Sequence, residues 1–310
     1  VPERAEGGAP GTVRESATRG ASVFQPKFNC LWCGRPHTTR STDDLGGYAL
    51  LCPDCIGRAQ DNEFLRFRLR EGLRKRAQAQ AEPQARDLDK EMRDYYAARA
   101  DEYDDWYLRR GRYSHGVLAD MAWQTDLDLA TVWLDQLPLH GEIVELAAGT
   151  GWWSPLLAQK GTLWLYDAVE KPLDRARQRL VAHGLAAHIH VRDAWTEPER
   201  QVDALFCGFW LSHVPRSRLV DFLGICHRWL KPGGLLAFID SRRDPESGAT
   251  DHQAPADDLS VRRLDDGREF TIPKVYYEPE DLREALVASG FAAATVTTTA
   301  RFFLLGRADA

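Results

Sequence analysis

No apolar run in this 310-residue chain approaches the roughly 20 residues that a membrane-crossing helix needs. The longest runs are strand-sized, so no membrane partner is expected. The segment from Val1 to Ala21 lacks the apolar core of a signal peptide. Being polar and rich in Gly and Ala, it reads as a disordered lead-in with no address, which leaves the cytoplasm as the expected compartment. A basic excess is missing too: 40 Lys and Arg stand against 46 Asp and Glu, for a formal net charge of −6. Proteins that coat nucleic-acid phosphates are usually basic. Extensive duplex binding is therefore disfavoured, while a local basic patch stays open. There is no internal repeat. What remains is the composition of an ordinary soluble chain of one or two domains.

Four of the six cysteines form two tight pairs, Cys30-Leu-Trp-Cys33 and Cys52-Pro-Asp-Cys55, separated by 18 residues. This spacing suits a tetrahedral zinc site of four thiolates, each CxxC bending so that both sulfurs face one ion. Four thiolates leave no position open for water, so the expected zinc is structural. Two chance pairs or disulfides are the alternative, the disulfides being disfavoured in a reducing compartment. Cys207 and Cys226 stand alone in apolar stretches and read as core residues. The cysteine pairs and the basic tail after them define a zinc module over 22–76. In that tail Arg66, Arg68, Arg70, Arg74, Lys75 and Arg76 are interleaved with Phe64 and Phe67. The tail reads as a solvated helix face, with a grip on nucleic acid as the sharper alternative. Residues 77–90 are a polar, Ala- and Gln-rich linker, and 91–310 form the main domain.

The main domain alternates short apolar runs with amphipathic stretches. Strands are expected at Ile143–Ala147, Thr162–Asp167, His188–Asp193, Ala204–Phe209 and Leu235–Asp240, with helices near 152–160, 171–183 and 216–230. Such alternation implies an α/β doubly wound parallel sheet with right-handed crossovers. Ala293–Ala300 and Phe302–Gly306 read instead as a closing antiparallel hairpin.

The first of these strands runs into Glu145-Leu-Ala147-Ala-Gly149-Thr-Gly151-Trp152-Trp153-Ser154. Small residues at 147, 149 and 151 let a ligand approach the backbone. The third glycine of a dinucleotide GxGxxG turn is missing, because Ser154 occupies its place. Glu145, under the loop, would repel a pyrophosphate and suits a ligand carrying an ammonium and a sulfonium; a capping acid for the turn is the alternative. Asp167 ends the second strand, where a carboxylate accepts ribose hydroxyls. Asp193 and Ala194 follow the third, placed for an adenine amino group, with Trp195 to cover the ring; an ordinary loop cap is the bland option.

These residues resemble the class I S-adenosylmethionine-dependent methyltransferases, most of all the small-molecule branch that includes the quinone methyltransferases. Glu145, Ala147, Gly149 and Gly151 match the first motif, with alanine at 147 where glycine is usual. Asp167 and Asp193 match the ribose- and adenine-binding acids, and Leu230-Lys-Pro-Gly-Gly234 matches the turn before the fifth strand. The resemblance covers about 93–308. It implies a seven-stranded sheet of order 3-2-1-4-5-7-6 with strand 7 antiparallel, and S-adenosylmethionine as cofactor. It also implies that the helix around Tyr96 and Tyr103 folds over the cofactor, so that Tyr96, Tyr103 or Arg112 contacts the methionine carboxylate. A surface aromatic helix packed on the sheet is the alternative.

Ligands in such sheets bind beyond the C-terminal strand ends. His213, after the fourth strand, is the candidate general base; holding the helix start at Pro215 is its other reading. Trp152, Trp153 and Trp210 make an aromatic pocket or belong to the core. Arg242 stands on the opposite rim, with Trp152 and Trp210 the remaining acceptor candidates. It opens an excursion ending in a hairpin over 261–272 with an Asp-Gly turn, whose arginines bind an acidic or polar acceptor or are solvated. A small organic acceptor is expected. The competing functions are an RNA or protein methyltransferase fed by the zinc module, and a non-catalytic S-adenosylmethionine sensor.

Overall fold

Apolar runs too short for helices, spaced by amphipathic stretches, assemble here into one large sheet covered on both faces. The computed structural model describes residues 27–30, 33, 35–38, 52, 54–55, 88–252 and 258–310. The expectations for 1–21, for the basic tail from Phe64 to Arg76 and for most of 77–90 fall outside these residues. The chain divides into two units, Val1–Glu82 and Pro83–Ala310.

In the first unit, β1 (Lys27–Asn29) and β2 (Pro36–Thr38) pair antiparallel, with Asn29 opposite Pro36. In the second, a helix over 88–99 (α1) and a short α2 (Tyr103–Tyr107) lead into the long α3 (Val117–Gln136). Then follow β3 (Glu142–Leu146), α4 (Ser154–Lys160), β4 (Thr162–Asp167), α5 (Glu170–Ala182), β5 (His188–Val191) and β6 (Val202–Gly208). The chain continues through α6 (Leu219–Trp229), β7 (Leu230–Ser241), the hairpin β8 (Leu259–Arg263) and β9 (Glu269–Pro273), α7 (Pro279–Ala288), β10 (Ala293–Thr298) and β11 (Phe303–Asp309).

The seven-stranded sheet runs β10-β11-β7-β6-β3-β4-β5, and β11 is antiparallel to both of its neighbours. Counted within this sheet alone, that is 3-2-1-4-5-7-6; the β1–β2 ribbon and the β8–β9 hairpin form separate sheets. The period of two along each strand sends alternate side chains to opposite faces. Ile143, Leu235, Ala237 and Ile239 join the core under α3, α4 and α5, while Val144, Leu146, Leu236 and Phe238 join the core under α6 and α7. Burial on both faces is why the central strands β6 and β7 are mostly apolar, whereas the edge strands β5 and β10 are largely exposed.

One local expectation needs correction. The Leu230–Gly234 segment is not a turn ahead of a strand: β7 begins at Leu230, and the pairing with β6 slips between Val202 and Ala204. Gly233, at φ +78°, donates to the Ala310 carbonyl, and Ala310 donates to the Gly234 carbonyl, so the last residue of the sequence clamps this bulge.

Candidate functional site

The loop after β3 turns through the left-handed region at Ala147 (φ 51°), Gly149 (φ 56°) and Gly151 (φ 70°). Glycine adopts this conformation freely, whereas alanine carries a cost of roughly 1–2 kcal/mol. A Cβ at Gly151 would sit 2.6 Å from the Cβ of Ala176 in α5, so glycine is required there for packing. At Gly149 a Cβ would meet nothing within 4 Å, because that part of the loop faces an open groove. Asp167, ending β4, holds the loop in place: its carboxylate accepts the Gly149 N–H at 2.9 Å and the Val169 N–H at 2.8 Å. Burial pushes its pKa up to about 6, against the pull of those two bonds.

Ala147, Gly149, Asp167, Asp193, Ala194 and Trp210 line the groove, with Tyr96 and Tyr103 above them. Trp195, near Asp193, accompanies them, and its backbone N–H donates to the Asp193 carboxylate at 2.9 Å. Helix α1 lies along the groove, leaving it narrow at about 60 Å³. Arg93 reaches Asp193 at 3.6 Å and Asp89 reaches Arg218 at 3.5 Å, both partly exposed ion pairs of the kind worth about 0–1 kcal/mol.

A second cavity of about 340 Å³ adjoins the groove. The two share Tyr96, Tyr103, Phe209 and His213. His213 is 7% exposed. Its Nδ1 lies 2.7 Å from the Pro273 carbonyl, which accepts only, so Nδ1 carries the proton. Nε2 therefore presents its lone pair, and the Tyr96 hydroxyl donates to it at 2.7 Å. Burial, reinforced by the nearby Lys274 charge, holds the imidazole pKa well below its usual value and keeps the ring neutral.

Five of the expected site residues do not face either space. Glu145 is 1% exposed beneath the loop, where it accepts the Ser154 hydroxyl at 2.6 Å, and burial pushes its pKa up to about 8. Gly151 serves the packing of α5. Trp152 stacks on Tyr107 at 4.1 Å with an interplanar angle of 2°, fastening α2 to the loop. There Asp104 also accepts the Thr150 hydroxyl at 2.7 Å and pairs with Arg179. Arg112 lies among Glu102, Asp251 and Asp265 and donates to the Arg263 carbonyl, tying the β8–β9 hairpin to the segment after α2. Arg242 donates to the carbonyls of Thr299, Ala300 and Arg301 and closes the β10–β11 turn. Trp153 is a core residue of the α4 face.

The larger cavity holds residues that the sequence reading missed: Arg99, His252 and Lys274. They come from α1, the excursion after β7 and the end of β9; Arg262, a hairpin arginine that the sequence did mark, lines the same cavity. Lys274 is 6% exposed, and its ammonium donates to the hydroxyls of Ser212 (2.8 Å) and Ser241 (3.1 Å).

In the first unit the sulfurs of Cys30, Cys33, Cys52 and Cys55 all lie within 4.8 Å of one another, Cys33 to Cys52 at 3.9 Å, and none is in a disulfide. A zinc–sulfur bond of about 2.3 Å implies a sulfur–sulfur edge of about 3.8 Å in a tetrahedron, so the cluster has the size of such a site.

Residues 143–234, from β3 to the β7 bulge, match the family model described as a methyltransferase domain. The chain carries a methyltransferase domain. The ubiquinone biosynthesis O-methyltransferases of Pseudomonas syringae pv. tomato and Pseudomonas aeruginosa are each 31% identical to it over 121 residues, which is 37% of this chain and 51% of theirs. The chain thus spans about half the length of these curated relatives. Among solved structures, DhpI in complex with SAH is similar with TM-score 0.55 and 29% identity, over 71% of this chain and 96% of that one. DhpI with SAM and HEP gives 0.57 and 29%, over 71% and 97%. The methyltransferase domain has the α/β fold with a seven-stranded, mostly parallel sheet. Among the described residues, no helix is long and apolar enough to cross a membrane.

Proposed function

We propose that the protein transfers a methyl group from S-adenosylmethionine to a small organic acceptor by in-line displacement. The observation that carries this reading is the meeting of the groove and the larger cavity at Tyr96, Tyr103, Phe209 and His213. It gives two ligands adjoining sites with one shared wall, as a direct transfer needs. The residues of the groove fit the cofactor: a backbone cradle open above Gly149, Asp167 to accept ribose hydroxyls, and Asp193, Ala194 and Trp195 for the adenine. When bound, S-adenosylmethionine supplies a methyl group already activated by its sulfonium. Tyr96 and Tyr103 cover the junction and exclude water. The ion pairs of α1 across the groove, Arg93–Asp193 and Asp89–Arg218, are weak, while Met92 and Tyr95 anchor the helix in the core beside Leu264 and Ile272. His213, neutral with Nε2 turned toward Tyr96, is suited to take a proton from an acceptor hydroxyl that displaces the tyrosine.

The four cysteines hold a structural zinc in this reading, in a reducing, cytoplasmic compartment that keeps thiols available. The cofactor reading is tested by calorimetry on the full chain. S-adenosylhomocysteine should bind and NAD should not; the reverse selectivity would overturn it.

A further inference from the structure

The larger cavity is lined by four cationic side chains, Arg99, Arg243, Arg262 and Lys274, and by one acid, Asp244. Asp244 is already matched, its carboxylate accepting from Arg301 at 2.7 and 3.1 Å. Among the described residues, none of the four cations has a carboxylate within ion-pair distance. Arg99 is 8% exposed, its Nε has no hydrogen-bond partner, and its guanidinium lies only over the rings of Tyr95, Tyr103 and Tyr113. Among the described residues Arg262 bonds only the neutral His252, at 2.8 Å. Lys274 spends its protons on two serine hydroxyls.

Burying charge without a partner costs several kcal/mol per ion. Among the described residues the cavity sets four cations against one lining acid that is already matched, with Arg99 and Lys274 buried, and that excess of positive charge suits an anion from outside. Burial brings the Lys274 pKa down to about 8; the Asp240 carboxylate opposes this, and the smaller repulsions of Arg262 and Arg99 add to it. An anion at that point would relieve this repulsion.

Resting on the methyltransferase reading, we propose that the acceptor carries an oxyanion, a carboxylate or a phosphoryl-type group, seated among Arg99, Arg262 and Lys274. Guanidinium groups recognise both through paired N–H donors. The cofactor's own carboxylate is the competing occupant for Arg99, which lies beside Tyr103, but not for Arg262, which does not line the groove.

The test titrates the full chain, saturated with S-adenosylhomocysteine, with inorganic phosphate and separately with acetate, at constant ionic strength set with chloride. At least one should bind saturably, and the stronger of the two identifies the oxyanion class. Arg262→Gln, on a partly exposed strand of the hairpin, should weaken that binding about 10-fold or more, by removing a charged hydrogen-bond donor to the anion. Affinity for S-adenosylhomocysteine should stay within about twofold. Arg243→Gln, at the exposed mouth, is the second variant and should weaken the anion in the same direction. Saturable binding of neither probe, or equal binding in both variants, overturns the proposal. Failure of S-adenosylhomocysteine itself to bind overturns the underlying reading instead, and the two failures are distinguishable in one experiment.

Discussion

The Tyr96 hydroxyl lies 2.7 Å from His213 Nε2, and the other ring nitrogen of His213 lies 2.7 Å from the Pro273 carbonyl. This chain of contacts joins helix α1, the turn after β6 and the end of β9 at the one place where groove and cavity meet. It makes the imidazole a fixed acceptor rather than a donor toward the cavity.

If that lone pair takes a proton from the acceptor, His213→Ala should lower kcat by about 100-fold or more with affinity for S-adenosylhomocysteine nearly unchanged. Because His213→Ala also removes a buried anchor, Tyr96→Phe is the cleaner partner: it removes only the hydroxyl and should shift kcat without a comparable fall in Tm. Normal turnover in both variants, with loss only of thermal stability, would assign the pair a structural role.

Asp167→Ala should weaken S-adenosylhomocysteine binding by about 1.5–3 kcal/mol through lost bonds to a charged acceptor. The native carboxyl titrates near pH 6 before ligand binds. Ribose hydroxyls donate to the ionised form, so affinity should rise as pH increases through about 6 and level above it. A flat profile from pH 5 to 7.5 by calorimetry would contradict this placement of the ribose.

Glu145 carries a folded-state pKa of about 8 against an ordinary 4.5, through burial. The unfolded chain therefore loses this proton first as pH rises. Its contribution to stability is whole below about pH 4.5 and is lost progressively up to about pH 8. Glu145→Gln retains a partner for Ser154 and should flatten that part of the stability–pH curve. Denaturant unfolding at pH 5 and pH 8 measures it, and an unchanged slope in the variant would refute the assignment.

Gly151→Ala should destabilise the protein by about 2–4 kcal/mol, combining a left-handed alanine with overlap against Ala176. Gly149→Ala, where the added methyl meets open space, should cost only the conformational part yet obstruct the cofactor. The contrast between Tm and binding in the two variants separates packing from ligand approach.

Elemental analysis should find about one zinc per chain, and Cys30→Ser should remove it. A disulfide between the two cysteine pairs in freshly reduced protein would end the zinc reading.

Much of this was legible along the chain because local spacing dictates it. The alternation of apolar runs marked the sheet, the small residues at 147, 149 and 151 marked the loop, and acids at strand ends marked Asp167 and Asp193. The strand positions were off by only a few residues, because side-chain period and turn residues act over short distances. Leu230–Gly234 was misread as a simple turn because the clamp that makes it a bulge comes from Ala310, 76 positions beyond Gly234.

His213 and the hairpin arginines apart, which side chains enter the cavity was decided by tertiary structure. Arg112, Arg242 and Trp152 carried the right chemistry but were claimed by carboxylates, carbonyls and a tyrosine ring brought to them by folding. Lys274 carried no signal in its own neighbourhood. It acquires its role by meeting Ser212, 62 positions away, at a point that also gathers Arg99 and Arg262. A side chain's nearest neighbours within a strand or turn are set by covalent spacing, whereas its partner across a cavity is set by how whole elements pack.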